Sequence, residues 1–172
     1  MQLLPEIEKR RSVRTFSGSP VAKPVIDRIV EAGRQAPSAK NRQAWRFIVI
    51  TDEKLRSEMQ AASYGQEYVG NAPVIIALCT TNVDYRMPNG QTSHPVDLGI
   101  AGAFMMLQAE HEGLGTCVVT TFREPEVKSL LSVPHRMRVV MLLLIGEPDS
   151  ADVPSERAER LPTDRIAGFN HW

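Results

Sequence analysis

Three arginines and a serine crowd one short segment near the start of the chain, at Arg10, Arg11, Ser12 and Arg14. Each guanidinium presents a planar fork of donors that matches a phosphate or a carboxylate. Charge-assisted hydrogen bonds of this kind contribute about 1.5–3 kcal/mol each when water is excluded. The segment therefore indicates binding of an anionic group such as a phosphate. A solvated basic helix end is the alternative, and the arginines alone favour it, because cations complement the negative pole of a helix.

Two further segments offer donors, and both lie between predicted elements. Residues 37–43 read Pro-Ser-Ala-Lys-Asn-Arg-Gln, which is typical of a polar loop between a helix and a strand. Gly113 and Gly115 lie between the predicted end of a helix and the start of a strand. A dinucleotide-binding fingerprint needs its glycines after a strand and before a helix, so this order argues against such a site.

The remaining reactive side chains favour packing over chemistry. Cys79 and Cys117 lie in separate apolar runs without metal-ligand spacing, which indicates reduced core thiols rather than a disulfide or a zinc site. The histidines have no metal-ligand spacing either; they are His94, His111, His135 and His171. We therefore predict no metal centre and no catalytic cysteine.

The chain has 172 residues, with 20 Lys and Arg against 20 Asp and Glu. This length suits one domain with a substantial core, and the balanced charge gives no electrostatic argument for nucleic acid. The start of the sequence lacks the pattern of a secretory signal, and the apolar runs are too short to span a bilayer. We expect a cytoplasmic protein that does not bind membranes.

Hydrophobic periodicity and the prolines place alternating helices and strands along the chain. Helices are predicted to begin at Pro5, Pro24 and Pro125, and Asp52 is predicted to cap another. The longest helical pattern covers residues 96–112. The predicted strands cover residues 45–50, 74–78, 117–120 and 139–145. This alternation by itself favours a doubly wound parallel sheet.

Residues 147–172 form a polar tail punctuated by prolines, which ends in Phe169 and Trp172. Such a tail has too few apolar residues to build a core of its own. We expect a single domain over residues 1–172, with this extended tail docked on a partner subunit.

Taken together, three segments resemble motifs of the nitroreductase family of FMN enzymes, and the resemblance runs from the first helix almost to the end of the chain. Arg10-Arg11-Ser12-Val13-Arg14 resembles the N-terminal motif of the family. Ala36-Pro37-Ser38 with Asn41, Gln43 and Trp45 resembles the second, and Gly113-Leu114-Gly115-Thr116-Cys117 the third. Two departures stand out: Ala44 replaces a common proline, and Ala103-Phe104 replaces a common Gln-Asn pair.

The resemblance implies an α+β fold in which helices flank a mostly antiparallel central sheet. It also implies a homodimer that holds two flavins at the subunit interface. Obligate interfaces of this kind bury on the order of 2,000 Å² or more, which would give the tail a docking surface. The expectation of an antiparallel sheet replaces the parallel sheet that periodicity favours.

The resemblance also assigns roles to individual residues. It places Arg10 and Ser12 at the phosphate and the ribityl chain of the flavin, and Arg14 at the pyrimidine edge of the ring. Arg11 is left as a contact to either the ribityl chain or the phosphate. Further positions matched to flavin contacts are Pro37, Ser38 and Asn41 from the other subunit, Gln66, Thr120 or Thr121, and Arg160, with Arg157 as the alternative to Arg160.

The implied activity is a ping-pong transfer of two electrons from NADH or NADPH through FMN to a nitroaromatic, a quinone or a similar small acceptor. A cation such as Arg14 near the pyrimidine edge would stabilise the negative charge of the reduced flavin. A reductive dehalogenase or flavin-processing relative is one alternative, and a non-enzymatic flavin-binding protein is another. The choice between NADH and NADPH stays open.

Overall fold

A computed structural model describes residues 3–149 and 158–171 of the chain. It contains a sheet of four strands: β1 (Trp45–Ile50), β2 (Val74–Thr80), β3 (Gly115–Val119) and β4 (Arg138–Gly146). The strand order is β1-β2-β4-β3, and every neighbouring pair is antiparallel. The α+β fold that the resemblance implied is confirmed, and the parallel sheet that periodicity favoured is wrong.

The helices follow the predicted positions with small shifts at their ends. They are α1 (Pro5–Lys9), α2 (Lys23–Arg34), α3 (Glu53–Ala62), α4 (Glu67–Asn71), α5 (His94–His111) and α6 (Glu124–Leu130). Two short 3₁₀ turns lie at Ala39–Asn41 and Thr163–Arg165. The short α4 is the one α-helix that periodicity did not predict, because five residues are too few to display a helical repeat.

Local capping chemistry explains the limits of α3. The side chain of Asp52 accepts a hydrogen bond from the backbone N–H of Leu55 at 2.8 Å, which confirms the predicted cap. The helix is followed by two residues in the left-handed region, Tyr64 at φ 57° and Gly65 at φ 75°. These two residues turn the chain, so that α3 is not extended and Gln66 becomes the N-cap residue of α4.

The core lies on both faces of the sheet, because β2 and most of β4 are buried. On one face the sheet packs with Met59 of α3, Val69 of α4 and Val127 of α6. On the other face it packs with Ile29 of α2 and Met105 of α5. Strands buried on both sides read as continuous apolar runs, and such runs carry no information about whether neighbours are parallel or antiparallel.

The described part of the tail, residues 158–171, is exposed throughout, and Phe169 keeps 90% of its surface. Docking of the tail on a partner subunit, and the single-domain reading of the whole chain, stay predictions. None of the helices within the described ranges is long and apolar enough to cross a membrane.

Candidate functional site

The arginine-serine segment lies along the open edge of β3. Ser12 forms a parallel bridge with Thr116, and the backbone N–H of Val13 donates to the carbonyl of Thr116 at 2.9 Å. This approach depends on Gly115, since a Cβ at that position would lie 2.5 Å from Cγ2 of Val13. The glycine of the third sequence motif thus allows the first motif to pack against the strand.

The segment is extended, so its side chains alternate between two sides. Arg11 and Val13 line a cavity of about 300 Å³ that also contacts Glu110 near the end of α5. Burial raises the pKa of the Glu110 carboxyl, while the nearby charges of Lys9, Arg10 and Arg11 act in the opposite direction. Arg11 therefore faces α5, and a contact between Arg11 and a flavin stays a prediction.

Arg14 is connected to the end of β3 through two side chains of the α4 region. Its guanidinium lies 5.9 Å from the centroid of the Tyr68 ring. The hydroxyl of Tyr68 donates to the side-chain oxygen of Gln66, whose amide donates to the carbonyl oxygens of Thr121 at 2.9 Å and Ser63 at 2.8 Å. Residues far apart in the sequence are thereby brought together beside β3.

The amide of Gln66 is almost fully used inside the chain, because both of its hydrogens have protein acceptors. Gln66 therefore holds Thr121 and Tyr68 in position, and direct donation from Gln66 to a flavin would cost one of these bonds. Thr120 and Thr121 are both exposed just beyond β3. The choice between them as a flavin contact stays open.

The residues beside β3 fit a phosphate-bearing aromatic cofactor. Arg10 and Arg14 take part in none of the ion pairs found within residues 3–149 and 158–171. The hydroxyl oxygen of Thr116 is buried and has no hydrogen-bond partner among the described residues. Because that oxygen is closed to solvent, the groups that suit a ligand here are the guanidiniums of Arg10 and Arg14, whose donors match an anionic group such as a phosphate.

The cysteines are poor candidates for chemistry. Cys117 is buried on β3, and burial raises the pKa of its thiol despite the nearby charge of Arg14. Burial on β2 raises the pKa of Cys79 to about 11. Both thiols stay protonated near neutral pH, which agrees with their predicted role in the core.

The second sequence motif forms a strained loop on the other side of the molecule. Lys40, Asn41 and Gln43 all have φ between 50° and 53°, a region that costs energy for residues with side chains. Internal bonds hold this shape: the Ser38 hydroxyl accepts from the backbone of Gln43 at 3.0 Å. The buried carboxylate of Asp97 accepts from the backbone N–H of Ala39 at 2.8 Å and ties the loop to the first turn of α5.

This loop and the arginine-serine segment lie at opposite edges of the sheet. The loop, which carries Pro37, Ser38 and Asn41, leads into β1, whereas Ser12 bridges to β3. Three strand spacings separate β1 from β3, which corresponds to about 14 Å across the sheet. Within one chain, the structure therefore does not bring the loop to the residues beside β3.

Arg160 lies within the described part of the tail, and its hydrogen bonds are local. It is exposed, and its guanidinium donates to the carbonyl oxygens of Ala158 and Glu159. Its alternative, Arg157, lies outside the described residues. A meeting of tail and N-terminal arginines on one phosphate stays a prediction.

Sequence reasoning missed several residues that organise the site. Thr116 was noted only as part of the third family motif and Asp97 only as part of a helix, and Tyr68 and Tyr85 were not singled out. Asp97 carried one weak signal, since an acidic residue in a first helical turn can also accept from a neighbouring loop. The two tyrosines carried none, because their partners are distant in the sequence.

An antiparallel α+β domain with Arg10 and Arg14 along one sheet edge, neither in an ion pair among the described residues, defines a candidate binding site for an anionic cofactor. The family model of the nitroreductase family matches residues 7–67 and 60–147. The chain belongs to the nitroreductase family, and the resemblance drawn from its motifs is confirmed. The predicted class of enzyme, an oxidoreductase of this family, is confirmed with it.

Individual relatives agree with this assignment. An NADH dehydrogenase of Thermus thermophilus is 27% identical over 92% of this chain and 91% of its own. An FMN reductase (NAD(P)H) of Bacillus subtilis is 29% identical over 96% of this chain and 72% of its own. The crystal structure of a nitroreductase family protein from Clostridium difficile 630 superposes with a TM-score of 0.87 at 26% identity and covers 100% of both chains. An iodotyrosine deiodinase of Pongo abelii is 26% identical over 93% of this chain but 65% of its own.

Proposed function

We propose that the chain is an FMN-dependent oxidoreductase that takes two electrons from NADH or NADPH and delivers them to a nitroaromatic, a quinone or a similar small acceptor. The observation that carries this proposal is the edge of β3, where Ser12 bridges to Thr116 and where Arg10 and Arg14, on either side of Ser12 in the sequence, form no ion pair among the described residues. Membership of the nitroreductase family and the printed names of the NADH and FMN enzymes among the relatives support the same activity.

Bound FMN would supply the chemistry, because its ring system can accept a hydride and pass on two electrons. The role of the chain is to bind and orient it. Arg10 and Ser12 would hold the phosphate and the ribityl chain, while Arg14 would stabilise negative charge at the pyrimidine edge. The ring of Tyr68, whose centroid lies 5.9 Å from the Arg14 guanidinium, would help to hold that charge beside the cofactor.

The complete site is proposed to form between two copies of the chain. The loop with Pro37, Ser38 and Asn41 cannot reach the edge of β3 in its own chain, since the two lie at opposite edges of the sheet. A two-fold partner would bring its loop to the other copy's β3 edge and create two equivalent sites. The exposed tail, with Arg160, would then have a neighbouring subunit to cover.

A subunit-mixing experiment tests this arrangement. Arg10→Ala and Asn41→Ala should each lower FMN retention, whereas co-expressed mixed dimers should recover one intact site per dimer. One site is restored because the Arg10→Ala chain still supplies Asn41, and the Asn41→Ala chain still supplies Arg10. If each site were built from one chain, both sites of a mixed dimer would be defective, and no recovery would be measured.

The activity is tested by reduction of the bound cofactor. Purified protein should be yellow or bind added FMN, and anaerobic mixing with NADH or NADPH should bleach the flavin absorbance. A panel of nitroaromatics, quinones and free flavins should then restore the colour at different rates. A colourless protein that binds no added FMN would contradict the proposal, and a yellow protein that neither nicotinamide bleaches would favour a non-enzymatic flavin-binding protein.

A reductive dehalogenase is the second candidate, and the iodotyrosine deiodinase relatives favour it. The segment between β2 and α5, residues 81–93, is short for an elaborate lid that would recognise such a substrate. Release of iodide from iodotyrosine by the reduced enzyme would support this candidate over nitroaromatic reduction. A cytoplasmic location stays a prediction from the sequence.

A further inference from the structure

Three side chains form a cluster where the strained loop meets the segment between β2 and α5. The Arg42 guanidinium lies 3.7 Å from the centroid of the Tyr85 ring, and the Lys40 ammonium lies 5.5 Å from it. Both distances are within the range of cation–π contact. We call Lys40, Arg42 and Tyr85 the basic rim.

The positive charge of the basic rim is not neutralised by the described residues. Neither Lys40 nor Arg42 belongs to an ion pair within residues 3–149 and 158–171. Asp97, the carboxylate that holds the loop, is buried and accepts from the backbone N–H of Ala39. A hydrogen bond from Arg42, followed by the charges of Lys40 and Arg42, lowers the pKa of the Tyr85 hydroxyl.

The loop conformation fixes the cations in this place at an energetic cost. Lys40 has φ 53° and ψ 27°, a left-handed conformation that lysine rarely adopts. Strain of this kind persists only where the surrounding structure enforces it, and it is concentrated at functional sites. Here the Asp97 bond, the Ser38 hydroxyl and the Tyr85 ring enforce it together.

The two cations of the basic rim belong to the same loop that is proposed to lie against the flavin. Lys40 and Arg42 flank Asn41 in the sequence, and both are exposed. A planar guanidinium already ordered on an aromatic ring loses little further entropy when it binds an anion. Lys40 adds a second charge on the other side of Asn41.

We propose that the basic rim binds the anionic group, a carboxylate or a phosphate, of the small molecule that reacts at the flavin. This inference rests on the proposed function and assigns it a substrate class: reactants that carry a carboxylate or a phosphate in addition to the group that reacts. Two sources share this chemistry, the carboxylate of an acidic electron acceptor and the 2′-phosphate of NADPH. A rim that only holds the loop in shape is the competing explanation.

Matched ligand pairs separate these cases. 4-Nitrobenzoate and 4-nitrobenzamide have nearly the same shape but differ by one charge, and NADPH and NADH differ by the 2′-phosphate. Dissociation constants for the nitro compounds would be measured by calorimetry on FMN-loaded protein, and KM would be measured for both nicotinamides. The variants are Arg42→Gln, Lys40→Gln and the charge-preserving Arg42→Lys. Arg86→Gln is the control, since Arg86 lies in the same segment as Tyr85 and its guanidinium donates to the Gly90 carbonyl.

Wild type should bind the anionic member of one pair more tightly, and Arg42→Gln should reduce that preference by about tenfold, the effect of one charge-assisted hydrogen bond. Lys40→Gln should act in the same direction, Arg42→Lys should retain part of the preference, and Arg86→Gln should leave it unchanged. A change confined to the nitro pair identifies an acidic acceptor, and a change confined to the nicotinamide pair identifies the 2′-phosphate.

Equal affinity for both members of both pairs in wild type would overturn the inference. A parallel loss for charged and neutral ligands in Arg42→Gln would also overturn it, because a loop that merely changes shape does not discriminate charge. Failure of the proposed function looks different: the protein would not bind FMN, or NAD(P)H would not bleach it. Tighter binding of 4-nitrobenzoate than of 4-nitrobenzamide by an FMN-loaded protein that NAD(P)H does not bleach would still support the rim as an anion site.

Discussion

The contact between Gly115 and Val13 predicts that Gly115→Ala disrupts the cofactor site. The new Cβ would lie 2.5 Å from Cγ2 of Val13, and ordinary contact begins at 3.4 Å, so the arginine-serine segment would have to withdraw by about 0.9 Å. Pro148 adds a second close contact, since its Cγ would lie 3.0 Å from the same Cβ. The bond from the Val13 N–H to Thr116 would lengthen, and Ser12 would leave its bridge.

The loss in FMN affinity follows from the contacts that the shift would break. Each charge-assisted hydrogen bond costs about 1.5–3 kcal/mol when lost, which corresponds to a factor of about 10 to 150 in the FMN dissociation constant. Overpacking a tight site also costs about 1–3 kcal/mol of unfolding free energy. We therefore expect Gly115→Ala to weaken FMN binding at least tenfold with a modest drop in stability.

The assay is titration of apo protein with FMN, followed by the quenching of flavin fluorescence. Urea unfolding and far-ultraviolet circular dichroism would show that the variant still folds. Gly102→Ala is the matched control, because its Cβ would meet Met141 and Leu78 at 3.4 and 3.5 Å, which is ordinary contact. FMN affinity of Gly115→Ala within about twofold of wild type, an energy below 0.5 kcal/mol, would refute the reasoning.

Further predictions concern single groups. Arg10→Ala should lower FMN affinity by about tenfold or more, whereas Arg14→Ala should chiefly change the reduction potential of the bound flavin; equal FMN retention in wild type and Arg10→Ala would contradict the phosphate role. The hydrogen bond from Arg28 lowers the pKa of Glu112 from 4.5 to about 2, so the stability from this pair is present above pH 4.5 and lost as pH falls towards 2. Between pH 4.5 and 2, Arg28→Gln should therefore lose less stability than wild type does. The same loss of stability in both proteins would contradict this role of the Arg28–Glu112 pair. Cys79, whose pKa is about 11, should react with a thiol reagent at pH 8 only after denaturation, and rapid labelling of the native protein would contradict its burial.

Features that depend on neighbouring residues were predictable from the sequence. Asp52 caps α3 because its carboxylate reaches a backbone N–H only three residues away. Pro5 and Pro24 lie in the first turns of their helices, where a missing N–H costs nothing. The three family motifs were likewise readable, since each is a short contiguous segment.

Features that depend on distant residues were decided only by the tertiary structure. The direction and order of the strands could not be read from β2, because a strand buried on both faces has the same pattern in parallel and antiparallel sheets. Gln66 meets Thr121 across 55 residues, and Asp97 meets Ala39 across 58. Such contacts follow from how whole elements pack, and hydrophobic periodicity records only which face of an element is buried, not what lies against it. The sequence by itself therefore predicted which segments belong to the site, and the packing of the sheet decided that these segments lie at two edges rather than one.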